Sequence, residues 1–531
     1  MIWYYIGTFV AGFSLMTVEI TASRIVAPII GSSIFTWASV IGVILFGLSV
    51  GNLIGGKIAD KYIEVYGQKV LSIAMLFSSV FVYLIIPLSK NTGFFLSETS
   101  SIQVLSVIIC SLLFLLPSIA MGALSPLIFK LYAVDVKNIG KKYGLFSSIW
   151  SLGSILGVFV TGFYFISTIG SSNTIYFIAS VLLFLFYFFY VKNMEKRSVY
   201  FKRQIILIFS LSILLLLSVY VISQDRKPLS QRVLFNKETA YYSVKVVDYD
   251  LFPQFGHNRI LFLDIDSDSV QTEKPSKLFY TDIYPVFSAF SNNLKDIYVI
   301  GAGAYTLPIN LRKYYHDSKI SVSEIDSEIE NIGRAYFDLD KYNIKTETGD
   351  VRIKFNIAQN DQSEKYDLIF GDAYNSLISV PWYLLTKEFA SKARDNLNPN
   401  GIYAINFIGS LEGAKSEMFE SVYSTFKEVF PNNYIFAFGN NPEDIQNITI
   451  LGVKNYNFLN HDSLKEKLDK IDTTHFLSKI LVNKDGINNN NGIKDGLILT
   501  DNFAPVESIM TPLIKEYFPK HLVFYNRIVN L

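Results

Sequence analysis

The second half of the chain contains Ile297-Tyr298-Val299-Ile300-Gly301-Ala302-Gly303-Ala304, a short apolar run that ends in a glycine turn. Four β-branched or aromatic residues predict a buried strand, and the Gly-x-Gly behind them predicts a turn that lets backbone approach a ligand closely. Working outward, Ser321-Val322-Ser323-Glu324-Ile325-Asp326 predicts a second strand ending on acids. Tyr366-Asp367-Leu368-Ile369-Phe370-Gly371-Asp372 predicts a third, and Ile402-Tyr403-Ala404-Ile405-Asn406 a fourth. Short apolar strands separated by helix-length segments predict a doubly wound parallel sheet. Ligands of such sheets sit beyond the C-terminal strand ends. Here those ends carry Gly301, Gly303, Glu324 and Asp372, with Gly349-Asp350 between the second and third strands. That arrangement predicts a nucleoside-binding edge.

Each acid has its own chemistry. Glu324, ending the second strand, is placed to accept hydrogen bonds from both hydroxyls of a ribose. Asp350 can accept from an exocyclic adenine amine. Asp372 ends its strand at the mouth of the expected pocket, where a carboxylate orients or deprotonates an amine. Taken singly, each acid is also compatible with a helix N-cap or a solvated turn. Their recurrence at successive strand ends favours the nucleoside.

The composition is uneven. Half of the 531 residues are hydrophobic, and they concentrate before residue 223. Apolar runs at 3–28, 35–56, 69–88, 103–129, 144–168, 173–191 and 204–223 predict about seven membrane spans, so residues 1–223 are expected to form a multi-pass α-helical domain in a lipid bilayer, the plasma membrane. Lysines and arginines gather after the second, fourth and sixth runs: Lys57, Lys61 and Lys69; Lys130, Lys137, Lys141 and Lys142; Lys192, Lys196, Arg197, Lys202 and Arg203. By the positive-inside rule these loops are cytoplasmic, and seven spans then put the following domain outside the cell. Gly51-x-x-x-Gly55 and Gly153-x-x-x-Gly157 predict close helix packing and are compatible with a homo-oligomer. Glu19 and Arg24 in the first run are expected either to pair or to line a polar cavity. The net charge of +1 gives no reason to expect nucleic acid. One cysteine, Cys110, in an apolar run, and five scattered histidines predict no disulfide framework and no protein-held metal.

Residues 224–290 read as a polar connector followed by a β-hairpin region, through Glu238–Asp248 and Arg259–Asp264. Residues 291–531 read as the Rossmann-like domain, with a turn-rich surface loop around Asn488–Asn491.

Taken together, these pieces resemble the membrane-fused polyamine aminopropyltransferase, or spermidine synthase, family, whose fold is related to Rossmann-like methyltransferases. The resemblance rests on Tyr241-Tyr242, Gln271, Tyr280-Thr281-Asp282, Ile300-Gly301-Ala302-Gly303, Ser323-Glu324-Ile325-Asp326 and Thr348-Gly349-Asp350. It continues through Tyr366–Asp372, Leu385-Thr386-Lys387-Glu388-Phe389 and the tail Leu499–Glu507. Gly55-Gly56-Lys57-Ile58-Ala59-Asp60-Lys61 is similar to the loop between spans two and three of major facilitator transporters. The resemblance implies an aminopropyl transfer from decarboxylated S-adenosylmethionine to a polyamine, with no tightly bound cofactor. It implies Gly301, Gly303, Glu324 and Asp350 as donor-binding, Asp372 as catalytic, and Gln271, Tyr280 and Asp372 as substrate-binding. Two departures stand out: Ala304 replaces an aspartate that in the family grips the donor amine, and Asn375 replaces a second strand-end aspartate. Two alternatives remain. One is transfer of a methyl or other group from S-adenosylmethionine to a different acceptor. The other is a non-catalytic ligand-binding domain that regulates a transporter-like membrane half.

Overall fold

The computed structural model describes residues 2–30, 34–89, 102–133, 138–192, 232–274, 279–291, 293–358, 365–374, 380–455 and 459–529. The chain divides into two compact units. One comprises residues 1–229 and 238–240, the other 230–237 and 241–531.

Among the described residues, six helices of the first unit are long and apolar enough to cross a bilayer: α1 Ile2–Ile30, α2 Ile34–Tyr66, α3 Gln68–Ser89, α4 Gln103–Tyr132, α5 Ile139–Ile169 and α6 Ser171–Val191. The seventh expected span, 204–223, lies outside the described residues, so the described residues do not bear on the outward placement that depends on it. Both glycine spacings serve packing within the chain. A Cβ at Gly51 would stand 2.2 Å from the Ile119 carbonyl oxygen of α4, and one at Gly153 would stand 2.1 Å from that of Phe9 in α1. Only glycine permits backbones that close. The segment Gly55–Lys61, expected as a loop, is helical and belongs to α2. It contains no proline, its Gly55 packs on the Ala123 backbone, and Asp60 holds Lys130 of α4 at 3.0 Å. The turn to α3 comes instead at Gly67, whose φ is +56°.

The second unit opens with a four-stranded antiparallel sheet, β1 Val233–Glu238, β2 Ser243–Asp248, β3 Asn258–Leu263 and β4 Asp266–Thr272. Of the stretch Glu238–Asp248, expected in the hairpin region, Glu238 ends β1, 239–242 form no strand, and Ser243–Asp248 is β2. Along the β3–β4 pair, Leu261 faces Ser269 and Phe262 faces Ser267, so Asp268 is an extra residue with no partner on β3. That is a β-bulge, which re-aims the side chain it carries.

The Rossmann-like core comes next: β5 Asp296–Ile300, β6 Lys319–Glu324, β7 Ile344–Thr348, β8 Tyr366–Gly371, β9 Leu397–Gly409, β10 Asn433–Ala437 and β11 Gln446–Val453. Their order across the sheet is β10-β11-β9-β8-β5-β6-β7. β5 pairs in parallel with both β6 and β8, so the strand order reverses at β5. Ligands of doubly wound sheets gather at such a reversal. Helices α7 Thr306–Tyr314, α8 Ser327–Tyr336, α9 Val351–Ala358 and α10 Lys387–Asp395 lie between the parallel strands or after them. Val244, Val246 and Leu261 of the small sheet join Ile297, Val299, Val322 and Phe370 in one buried core. A helix near the chain's end, α11 Thr511–Val529, packs against β4.

Candidate active site

The strand ends build one cavity. At the first turn, Gly301 has φ +92° and Gly303 φ +48°, conformations that glycine adopts without steric cost. A Cβ at Gly301 would fall 2.3 Å from the Asp372 carbonyl oxygen. One at Gly303 would fall 2.5 Å from Ser269 Oγ and 2.6 Å from Asp268 Oδ2. The two glycines therefore let this turn lie directly against the end of β8 and against the bulge in β4.

Glu324, at the end of β6, is buried. Its Oε2 accepts from the Ala302 N–H at 3.0 Å and its Oε1 from the Asp326 N–H at 2.9 Å. Burial pushes its carboxyl up to about 7; the two backbone hydrogen bonds oppose that rise, and the charges of Asp268 and Asp326 add to it. Asp350 does two things at once. It accepts from the Arg352 N–H at 2.8 Å, tying down the first turn of α9, and it also lines the cavity. Burial and the neighbouring Asp350 carboxylate hold the Tyr383 phenol up at about 12.

Asp372 is clamped from three sides. Its backbone N–H donates to the Ile300 carbonyl at 2.8 Å, continuing the β5–β8 pairing by one residue. Tyr280 donates its phenol to Oδ2 at 3.0 Å, and Asn406 of β9 donates to Oδ1 at 3.1 Å. Asn406 also reaches the Tyr374 phenol at 2.9 Å. Burial lifts the Asp372 carboxyl to about 7; Asn406 and Tyr280 pull it down, and the nearby Asp268 pushes it further up. A carboxyl at that level can take a proton and give it back near neutral pH.

Of the residues singled out from the sequence, Gly301, Gly303, Glu324, Asp350 and Asp372 line the same cavity; Tyr280 does not line it but donates to Asp372. Gln271 does not join them. It lies beyond the bulge, where its amide donates to the Phe337 carbonyl at 3.3 Å. Asn375 lies outside the described residues. Sequence reasoning missed Asp268, which lines the cavity with Tyr242, Tyr374 and Tyr383. The signal for it was the acid repeat Asp264-Ile265-Asp266-Ser267-Asp268, three carboxylates in five residues at the turn into β4. The described lining thus contains Asp268, Glu324, Asp350 and Asp372 and neither lysine nor arginine. A cavity with four acids and no base favours a cationic ligand.

Residues 279–461 match the spermine/spermidine synthase domain. The polyamine aminopropyltransferase of Vibrio vulnificus (strain CMCP6) is 24% identical over 252 residues, covering 47% of this chain and 79% of that protein. A probable polyamine aminopropyl transferase of Bifidobacterium longum (strain NCC 2705) is 25% identical over 218 residues, 40% of this chain and 47% of that one. Among solved structures, a probable spermidine synthase from Corynebacterium glutamicum ATCC 13032 superposes with a TM-score of 0.37 and 16% identity, over 54% of this chain and 94% of that one. The second unit is a transferase enzyme domain.

Proposed function

We propose that this protein is a membrane-anchored aminopropyltransferase. In this reading its second unit binds decarboxylated S-adenosylmethionine and transfers the donor's aminopropyl group to a polyamine. The observation that carries the reading is the cavity at the β5 reversal, where Glu324, Asp350 and Asp372 stand with no basic residue among the described lining, these three acids lying inside the segment that matches the synthase domain. Glu324 takes the ribose hydroxyls and Asp350 the adenine amine. The acceptor amine attacks the carbon beside the sulfonium. A carbon–nitrogen bond forms, the carbon–sulfur bond breaks, and its electron pair returns to sulfur, releasing neutral 5′-methylthioadenosine. Asp372, poised near 7, takes the proton that the new secondary amine sheds, while Tyr280 and Asn406 keep the carboxylate aimed. The six long apolar helices would hold the enzyme in the bilayer. Group transfer from intact S-adenosylmethionine is a second reading, favoured by Ala304 standing where an acid was expected.

The test is turnover by the full chain in detergent, given decarboxylated S-adenosylmethionine with putrescine, and separately S-adenosylmethionine with the same amine. Release of 5′-methylthioadenosine from the first mixture is expected. Release only of S-adenosylhomocysteine, from the second, would transfer support to the other reading.

A further inference from the structure

The bulge in β4 places a carboxylate that neither the glycine turn nor the other strand ends account for. Asp268 Oδ2 lies 2.6 Å from the position of a Cβ on Gly303, so its carboxylate stands directly against the glycine turn. Ser269 fastens it there. The Ser269 hydroxyl accepts from the Ala304 N–H at 3.1 Å and donates to Asp268 Oδ2 at 2.9 Å. From the far side, α11 steadies the same strand, where His521 Nε2 accepts from the Ser267 N–H at 3.2 Å.

The three acids differ in how far the protein itself satisfies them. Both oxygens of Glu324 already accept backbone N–H groups, and both of Asp372 accept from side chains. Among the described residues Asp268 accepts one hydrogen bond, from its own neighbour Ser269, and the residue lines the cavity. Its charge also raises the Glu324 and Asp372 carboxyls, and burial holds its own near 6. A positive group seated against it would relieve all three. A metal ion does not suit the geometry, since among the described residues no three His, Cys, Asp or Glu side chains group as metal ligands. An organic ammonium does.

We propose that Asp268 is the counter-ion of the donor's terminal ammonium, and that it selects a decarboxylated adenosyl sulfonium over one that keeps its α-carboxylate. This rests on the aminopropyltransferase reading above and names the residue that decides the donor class. An ammonium at the end of the donor's three-carbon chain gains a charge-assisted hydrogen bond. A carboxylate on the same chain would face Asp268 as a like charge. The acid arrives from β4, beside a turn whose Ala304 carries no charge.

The experiment is calorimetric titration of the full chain in detergent, as wild type, Asp268→Asn and Asp268→Glu. The three probes are decarboxylated S-adenosylmethionine, S-adenosylmethionine and 5′-methylthioadenosine, the last lacking any ammonium. Asp268→Asn is expected to weaken the decarboxylated donor by about ten- to a hundredfold. It should leave 5′-methylthioadenosine unchanged and tighten S-adenosylmethionine. Asp268→Glu should keep part of the donor preference. Unchanged affinity for the decarboxylated donor, or an equal loss for it and for 5′-methylthioadenosine, overturns the assignment. A wild type that binds 5′-methylthioadenosine but does not prefer the decarboxylated donor also overturns it, leaving the adenosyl site intact. A folded wild type that binds none of the three overturns the aminopropyltransferase reading itself.

Discussion

Asp372→Asn should stabilise the ligand-free protein, and more so as pH rises. In the folded chain the Asp372 carboxyl is lifted from 3.8 to about 7, chiefly by burial. Below pH 4 the group is protonated folded and unfolded alike, and burial of charge costs nothing. Between these limits the unfolded chain ionises first, so folding stability falls as pH rises. Above 7 the folded carboxyl is ionised as well and the loss levels off. One pKa unit corresponds to 1.36 kcal/mol, so a rise of roughly three units is worth about 4 kcal/mol at full ionisation. Asparagine removes the charge but keeps an oxygen for the Asn406 amide and an amide for the Tyr280 oxygen to accept. The assay is thermal unfolding of wild type and variant across pH 5 to 8 in the same detergent. The stability gap should widen with pH in favour of the variant. A gap that stays flat, or a variant less stable than wild type at pH 8, would refute the buried-charge account of this residue.

The same Asp372→Asn protein is expected to bind 5′-methylthioadenosine as wild type does while losing about a hundredfold or more in turnover; equal turnover would remove Asp372 from the chemistry. Tyr280→Phe deletes a hydrogen bond that helps keep Asp372 ionised, so the acid limb of the pH–rate profile should move to higher pH with nucleoside binding unchanged. Gly301→Ala adds a methyl 2.3 Å from the Asp372 carbonyl oxygen at a φ of +92°. A stability loss of about 1–3 kcal/mol and lost turnover are expected, read by melting and by product release. In the first unit, Gly51→Leu drives a side chain into the Ile119 carbonyl of α4, and a lowered melting temperature in detergent should report the separation of α2 from α4.

The parallel strands were legible because burial on both faces writes them as apolar runs ending in glycine or acid. β7 escaped for the opposite reason. It is the sheet's edge, Ile344-Lys345-Thr346-Glu347-Thr348, and its Lys345 and Glu347 pair at 2.7 Å. The acids at successive strand ends could be gathered into one site from topology alone. What spacing could not convey was the bulge between Leu261 and Phe262, an irregularity of one residue. It carries Asp268 into the cavity, and Gln271, beyond it, bonds to the Phe337 carbonyl. Similarly, Gly55–Lys61 looks like a loop by charge and glycine content. It remains helical with the backbone of a neighbouring helix filling the space that Gly55 leaves.

The most direct measurement of the central claim tracks the transferred group itself. The full chain would be supplied with decarboxylated S-adenosylmethionine deuterated along its aminopropyl chain, together with unlabelled putrescine, and the products weighed by mass spectrometry. Aminopropyl transfer predicts that the label appears on a new triamine, in equal amount with unlabelled 5′-methylthioadenosine. Label that stays on the adenosyl compound, in a protein that binds it, would contradict aminopropyl transfer.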